Sequence, residues 1–203
     1  MHENNACELR PMPDPHEHSA APGPAIALMA RLAGVIPTLQ TERLRLRPPR
    51  LSDFAVYADI ALSPRGRFLL EAPDREAAWY DFMNMVACWL MRGHGLWTVE
   101  RKQDGAAVGF VLIGFEPGDH EPELGYMFAA EAEGRGYATE AARAAKVYAF
   151  HTLGFSTLVS TIDHDNAASF RVARRLGGVR DREAEAAHNN EIAVMRYRAD
   201  DDA

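Results

Sequence analysis

A chain of 203 residues holds one ordinary domain plus spare length, on a prior of about 150 residues per domain. Its 47% apolar and 25% charged residues exclude a disordered or fibrous composition. The formal charge of −7 argues against a protein that holds nucleic acid through its phosphates. Cys7 and Cys88 are too few for a disulfide framework and lack metal-ligand spacing, so a reducing compartment is expected. No apolar run approaches the ~20 residues of a membrane span. The expectation is a cytoplasmic protein with no membrane, nucleic-acid or metal partner.

The spare length lies at the front. Five of the twelve prolines (Pro11, Pro13, Pro15, Pro22, Pro24) fall in the first 24 residues, which therefore read as a flexible tail. Ala25 to Ile36 is apolar enough to suggest a secretory signal, but it has no basic flank and Pro37 closes it. A short helix or docking segment is the better reading. His2, His16 and His18 read either as a metal tract or, on a proline-rich tail, as solvated side chains. The organisation is thus a tail over 1–38, a domain over 39–198 and an acidic tail over 199–203.

Within the domain, Leu44 and Leu46 alternate with Arg43, Arg45 and Arg47 as a strand stopped by Pro48-Pro49. Ser52 or Asp53 is expected to cap a helix through about Leu62. A second helix starts near Asp74 and is expected to bury Trp79, Phe82, Met83, Val86, Trp89 and Leu90 before Gly93 and Gly95 end it. Strands Leu96–Arg101 and Ala107–Phe115 flank the turn Gln103-Asp104-Gly105. A strand over Glu123–Phe128, a helix over Tyr137–Leu153, a strand over Thr157–Ile162 and a helix over Asn166–Leu176 follow. A closing strand pair is expected near Val179–Ala186 and Glu191–Arg198. The order describes an α+β fold: a mixed, mostly antiparallel sheet with one β-α-β crossover.

The chemistry is expected where the strand Glu123–Phe128 runs through Glu133-Gly134-Arg135-Gly136 into a helix. Glycines at 134 and 136 let backbone N–H groups converge on an anion. The helix N-terminus adds free donors and a positive dipole end, and Arg135 adds charge. A glycine-rich helix entry without any ligand remains the alternative. Ala138, Ala141, Ala142, Ala145 and Ala149 share one helix face, which lets this helix lie close to a sheet. A dinucleotide fingerprint is not met, because Thr139 stands at the third glycine position, and no Gly-Lys-Ser/Thr follows to make a P-loop.

Gly134-Arg135-Gly136-Tyr137-Ala138-Thr139-Glu140-Ala141 closely resembles the acyl-CoA-binding motif of the GCN5-related N-acetyltransferases (GNAT). It is most similar to the RimJ/RimL-type branch. Thr41–Arg47 resembles that branch's first strand and Glu123-Leu124-Gly125-Tyr126 its fourth. Asn166-Ala167-Ala168-Ser169 with Arg174-Arg175-Leu176-Gly177 resembles its Asn-x-x-Ser helix. Together these stretches cover roughly residues 39–198. Two positions depart from the pattern. Glu133 stands where Gln, Arg or an aromatic is usual, and Gly178 replaces an aromatic, which is expected to loosen packing there.

The resemblance implies a GNAT fold that takes acetyl-CoA as cosubstrate between the fourth strand and the one after the long helix. It places backbone groups of Tyr126, Met127 and Phe128 on the pantetheine arm. It places the amides of Gly134, Arg135, Gly136, Tyr137, Ala138 and Thr139 on the pyrophosphate, and adds Asn166, otherwise a helix N-cap, as a coenzyme contact. The implied activity is acetyl transfer to a primary amine of a small molecule or protein N-terminus. An alkyl ammonium with pKa ~10.4, or an α-amine near 8, must lose a proton before it attacks. Glu123 is the first candidate base, against the alternative that it pairs with a neighbouring arginine. Glu71 and Tyr126 are weaker candidates. Ser169 is the candidate acid for the departing thiolate, with coenzyme contact or packing as alternatives. The rival function is a GNAT-fold sensor that binds acyl-CoA without catalysis. The acceptor loops around Ser63–Pro73 and Phe115–Pro122 carry no decodable motif, and His94, His120, His164 and His188 read as surface or loop residues. Members of the superfamily often dimerise, so a homodimer is a further expectation.

Overall fold

The computed structural model describes residues 15–18, 22–69 and 74–199. The readings of Cys7, His2, Glu71 and residues 200–203 lie outside the described residues. Eight strands, β1 (Leu39–Gln40), β2 (Leu44–Arg47), β3 (Leu96–Arg101), β4 (Ala107–Gly114), β5 (Glu123–Phe128), β6 (Thr157–Asp163), β7 (Val179–Arg180) and β8 (Ile192–Arg198), form one sheet. Their spatial order is β1-β2-β3-β4-β5-β6-β8-β7. All neighbours are antiparallel except β5 and β6. The fold is α+β with a mixed, mostly antiparallel sheet and one parallel crossover, as the element order implies.

Alternation along the strands divides the core between the two faces of the sheet. On one face Leu44, Leu46, Trp97, Val99, Val111 and Leu124 pack with α5 (Tyr137–His151). Ala141, Ala142, Ala145 and Ala149 of α5 are fully buried there, so the alanine face does bring the helix onto the sheet. Lys146 at the border of that stripe is also buried, and its Nζ donates to the Leu176 carbonyl at 2.7 Å. That carbonyl ends α6 (Ala167–Arg175), where a cation is favoured by the helix dipole. On the other face Leu96, Phe110 and Met127 pack with Phe54 and Tyr57 of α3 (Phe54–Ala61) and Phe82 of α4 (Arg75–Arg92).

Several local expectations need correction. Asp53 stands at the N-cap position of α3, but its side chain makes no capping hydrogen bond to that helix. It is buried and accepts from Arg47 at 2.7 and 2.9 Å, from the Arg50 N–H at 2.7 Å and from the Thr98 hydroxyl at 2.8 Å. Arg47 Nε also donates to Glu100 at 2.7 Å. Asp74 does cap α4, accepting from the Ala77 N–H at 2.7 Å, and Gly93 ends it at φ 76°. Met83 and Leu90 of α4, expected inside, are exposed, because the helix buries only a narrow stripe through Ala78, Phe82 and Trp89. The expected strand to Ala186 stops at Arg180. Asp181 then caps a helix, α7 (Arg182–Ala187), by accepting from the N–H groups of Glu183 and Ala184. Glu185 of α7 is buried and binds Arg180 at 2.5 Å.

Gly178 does not loosen its corner. The Tyr197 ring fills the space, and a Cβ at 178 would lie 2.8 Å from Tyr197 Cε1. His94 is a core residue rather than a surface one, with Nδ1 2.7 Å from the Ile113 carbonyl. The tail is not wholly detached. A short helix, α1 (Pro15–His18), lies against α4, where buried Glu17 pairs with Arg75 at 2.5 Å and His16 packs edge-on to Trp79. The apolar segment forms a helix, α2 (Gly23–Val35), none of whose residues is buried. Among the described residues no helix is long and apolar enough to cross a membrane.

Candidate active site

β5 and β6 run parallel but share a single register pair, Glu123 with Val159. Beyond it the strands diverge, and two side chains bridge the opening. Ser160 donates to the Leu124 carbonyl at 2.7 Å. Glu123 accepts from the Thr161 N–H at 2.9 Å and from the Thr161 hydroxyl at 2.6 Å. Glu123 therefore pairs with no arginine among the described residues; it satisfies a backbone donor that the divergence leaves without a strand partner. Gly125 to Phe128 pair with β4 on one side and with no β6 residue on the other. That free edge can bind an extended amide chain as a sheet binds a peptide.

The edge leads to the glycine turn. Gly134 and Gly136 have φ of 70° and 77°, a region L side chains rarely adopt, and Gly136 is the N-cap of α5. The turn is braced from β2's entrance. Arg43 donates to the Arg135 carbonyl at 2.9 Å and to Glu140 at 2.7 Å, and the Thr41 hydroxyl donates to Glu140 at 2.5 Å. Thr139 Oγ1 is buried and has no hydrogen-bond partner. Thr139 lines a cavity of about 760 Å³ walled also by Gly134, Gly136, Tyr126 and Asn166. An orphan hydroxyl beside free helix-terminal amides suits a phosphorylated ligand. Gly136→Ala is expected to cost about 1–2 kcal/mol through its left-handed backbone, read as a lower urea midpoint, and to weaken coenzyme binding in calorimetry.

A second cavity, of about 360 Å³, adjoins the first, and both are walled by Phe68, Leu69, Tyr126, Met127, Asn166 and Ser169. The Tyr126 hydroxyl lies 3.0 Å from Ser169 Oγ and donates to the Ser169 carbonyl at 3.1 Å. Asn166 Oδ1 accepts from the Ser169 N–H at 3.1 Å, so Asn166 is a true N-cap as well as a cavity wall. Burial pushes the Tyr126 phenol up to about 12, which keeps it protonated at neutral pH.

The second cavity is acidic, with Asp81, Glu116, Asp119, Glu123 and Asp163 in its walls. Burial raises the Glu123 carboxyl above the ordinary range. The Thr161 hydrogen bonds oppose that rise, and the Asp119 and Glu116 charges add to it. Glu116 is raised by burial and then by Asp81 and Asp119. Burial raises Asp81 against a bond donated by the Tyr57 hydroxyl.

Of the residues expected at the coenzyme, Tyr126, Met127, Phe128, Gly134, Gly136, Tyr137, Ala138, Thr139 and Asn166 all wall the larger cavity. Arg135 does not; its Nε donates to the Glu131 carbonyl at 3.1 Å. Glu123 and Ser169 share the acidic cavity. Glu133 forms an ion pair with Arg65 at the cavity's edge. Sequence reasoning missed Arg65, Arg67, Arg171 and Arg175 in the larger cavity and Tyr57 and Asp81 in the smaller. Neither Asp81 nor the arginines carried a signal in the sequence. These features fit an acyl-CoA: a free strand edge for the arm, amides and guanidiniums for phosphates, and a hydroxyl pair where the two cavities meet.

Comparison with known proteins agrees. Residues 43–179 match the family described as acetyltransferase (GNAT) domain, more than half of the chain. A crystal structure of an acetyltransferase from Agrobacterium tumefaciens str. C58 superposes with TM-score 0.75 at 40% identity, over 80% of this chain and 94% of that one. A GNAT-family acetyltransferase from Bacillus anthracis shares the fold at TM-score 0.65 and 22% identity, over 81% of this chain and 99% of that one. The uncharacterized protein YkkB of Bacillus subtilis (strain 168) is 41% identical over 92 residues, 42% of this chain and 52% of YkkB. The chain spans about half the length of the curated relatives it matches.

Proposed function

Because the chain belongs to the GNAT acetyltransferase family, we propose that it transfers the acetyl group of acetyl-CoA to a primary amine that enters through the acidic cavity. The observation that carries this reading is the meeting of the two cavities at Tyr126 and Ser169, one phosphate-seeking and one cation-seeking. The motifs around Thr41–Arg47 and Asn166–Ser169 support the narrower RimJ/RimL-type branch.

Acetyl-CoA supplies an activated acyl carbon. The free edge of β5 holds its arm, and one of those strand amides serves as the oxyanion donor. Glu123 takes the proton of the incoming ammonium, directly or through one water, and its raised pKa makes it a stronger base than an ordinary carboxylate. Ser169, hydrogen-bonded to the protonated Tyr126 phenol, gives its proton to the departing sulfur and takes in exchange the proton that the attacking nitrogen sheds as the amide forms. Carboxylates that repel one another in a buried cavity are stabilised by a bound cation, so the acidic wall favours an acceptor that carries positive charge beyond the reacting amine.

Thiol release from acetyl-CoA, followed with amines of equal length bearing one or two ammonium groups, tests the reading. Turnover is expected, with a several-fold lower KM for the dication. No turnover across the panel, with coenzyme still bound, would favour the sensor instead. Glu133, which departs from the family pattern beside the expected pyrophosphate seat, is the residue that would favour the sensor. Its pairing with Arg65 neutralises that charge locally. Glu116→Gln is expected to raise KM for the dication several-fold while changing the monoamine less, as initial rates would report.

A further inference from the structure

Arg171 and Arg175 lie one helical turn apart on α6 and line the same cavity as Gly134, Gly136 and Thr139. Both are exposed, and no carboxylate pairs with either among the described residues. α6 contains no acidic residue, and the third arginine, Arg174, stacks over the Phe170 ring at 5.8 Å instead of lining the cavity. Arg143 of α5 donates to the Arg175 carbonyl at 2.9 Å and brings another guanidinium to this corner. Nearby carboxylates are already engaged, Glu140 by Arg43 and Glu133 by Arg65. The helix dipole accounts for cations in the last turn of α6, but not for Arg171 in its middle. Like charges at i,i+4 destabilise a helix unless an anion bridges them.

The glycine turn and the α5 N-terminus already supply backbone donors for one diphosphate. The two guanidiniums are in excess of that need, and their planar forks match a phosphomonoester dianion. Resting on the acetyl-CoA reading above, we propose that Arg171 and Arg175 grip the ribose 3′-phosphate of coenzyme A. The pair thereby selects the 3′-phosphorylated cosubstrate over its dephospho form. They are cosubstrate-specificity residues and take no part in acyl transfer.

Isothermal titration calorimetry with CoA and 3′-dephospho-CoA tests this on the full chain. The wild type is expected to bind CoA about 10- to 100-fold more tightly. The Arg171→Gln/Arg175→Gln double variant is expected to bring CoA down to the dephospho-CoA affinity while leaving the latter near its wild-type value. The Arg171→Lys/Arg175→Lys variant should restore part of the preference, which a merely structural role would not produce. Equal wild-type affinities, or a double variant that keeps the preference or weakens both ligands alike, would overturn the proposal. Failure of the wild type to bind either ligand would instead overturn the acetyl-CoA reading beneath it.

Discussion

Glu123→Gln is expected to lower kcat for amine acetylation by about 10²- to 10⁴-fold, the usual contribution of a positioned general base. Glutamine keeps an acceptor oxygen for the Thr161 N–H and hydroxyl, so the bridge across the strand opening survives and only the base is lost. Stability should not fall with activity. The Glu123 carboxyl is raised, chiefly by burial, so its ionised form is disfavoured in the folded state. For such a group stability is greatest below the ordinary carboxylate pKa and declines as pH rises through the raised one. The neutral amide removes that decline, and Glu123→Gln should match or exceed the wild-type melting temperature at neutral pH. The rate of the wild type should fall on the acid side as Glu123 protonates, at a pH above the ordinary carboxylate range. That limb should vanish in the variant. Initial rates across pH, with melting curves on the same samples, check both. A variant that retained wild-type turnover would remove Glu123 from the chemistry and leave it as a strand bridge.

Asp53→Ala is the largest expected loss of stability, about 3–5 kcal/mol, because it leaves the Arg47 guanidinium buried with half its partners gone. Against a typical total of about 5–15 kcal/mol, this could unfold the domain. Burial alone would raise the Asp53 carboxyl. The hydrogen bonds and charge of Arg47, with the Arg50 N–H and the Thr98 hydroxyl, reverse that and hold it low. The stabilisation is therefore full above the ordinary carboxylate pKa of ~3.9 and is lost as pH falls through the depressed value. Urea titrations from neutral pH downward should show wild type and variant drawing together only below the ordinary carboxylate pKa. A loss below about 1 kcal/mol at neutral pH would show that the cluster's desolvation cost cancels its bonds.

The parts of this site that could be read from the sequence are those whose chemistry is local. Gly134 and Gly136 open α5 within a few residues of β5, and the alanines recur at the spacing of one helix face, so both motif and packing face sit in one stretch of chain. The same locality made Asn166 readable as a cap. What could not be read is assembled by topology. Glu123 and Thr161 are 38 positions apart and meet only because β5 and β6 share one pair before diverging. Asp81 lines the acidic cavity from α4, Tyr57 from α3 and Glu116 from the loop after β4, and no sequence pattern links them. The bonding of Asp53 is not legible, because a helix-capping residue type at a helix entrance looks the same whether it bonds forward to the helix or backward to a buried arginine. The Val179–Ala186 stretch reads as a strand because its weak alternation hides a cap at Asp181 and an alanine-rich turn of helix.

A crystal structure of the protein with coenzyme A tests the central claim most directly. A larger open groove of about 1000 Å³ between β1 and α5 also borders Gly136 and Thr139, so the position of the ligand is informative. The account predicts the arm along Gly125–Phe128 between β5 and β6, with the sulfur beside Tyr126 and Ser169 and the acidic cavity open to it. A coenzyme lying in the β1–α5 groove, with its sulfur remote from Tyr126, would contradict it.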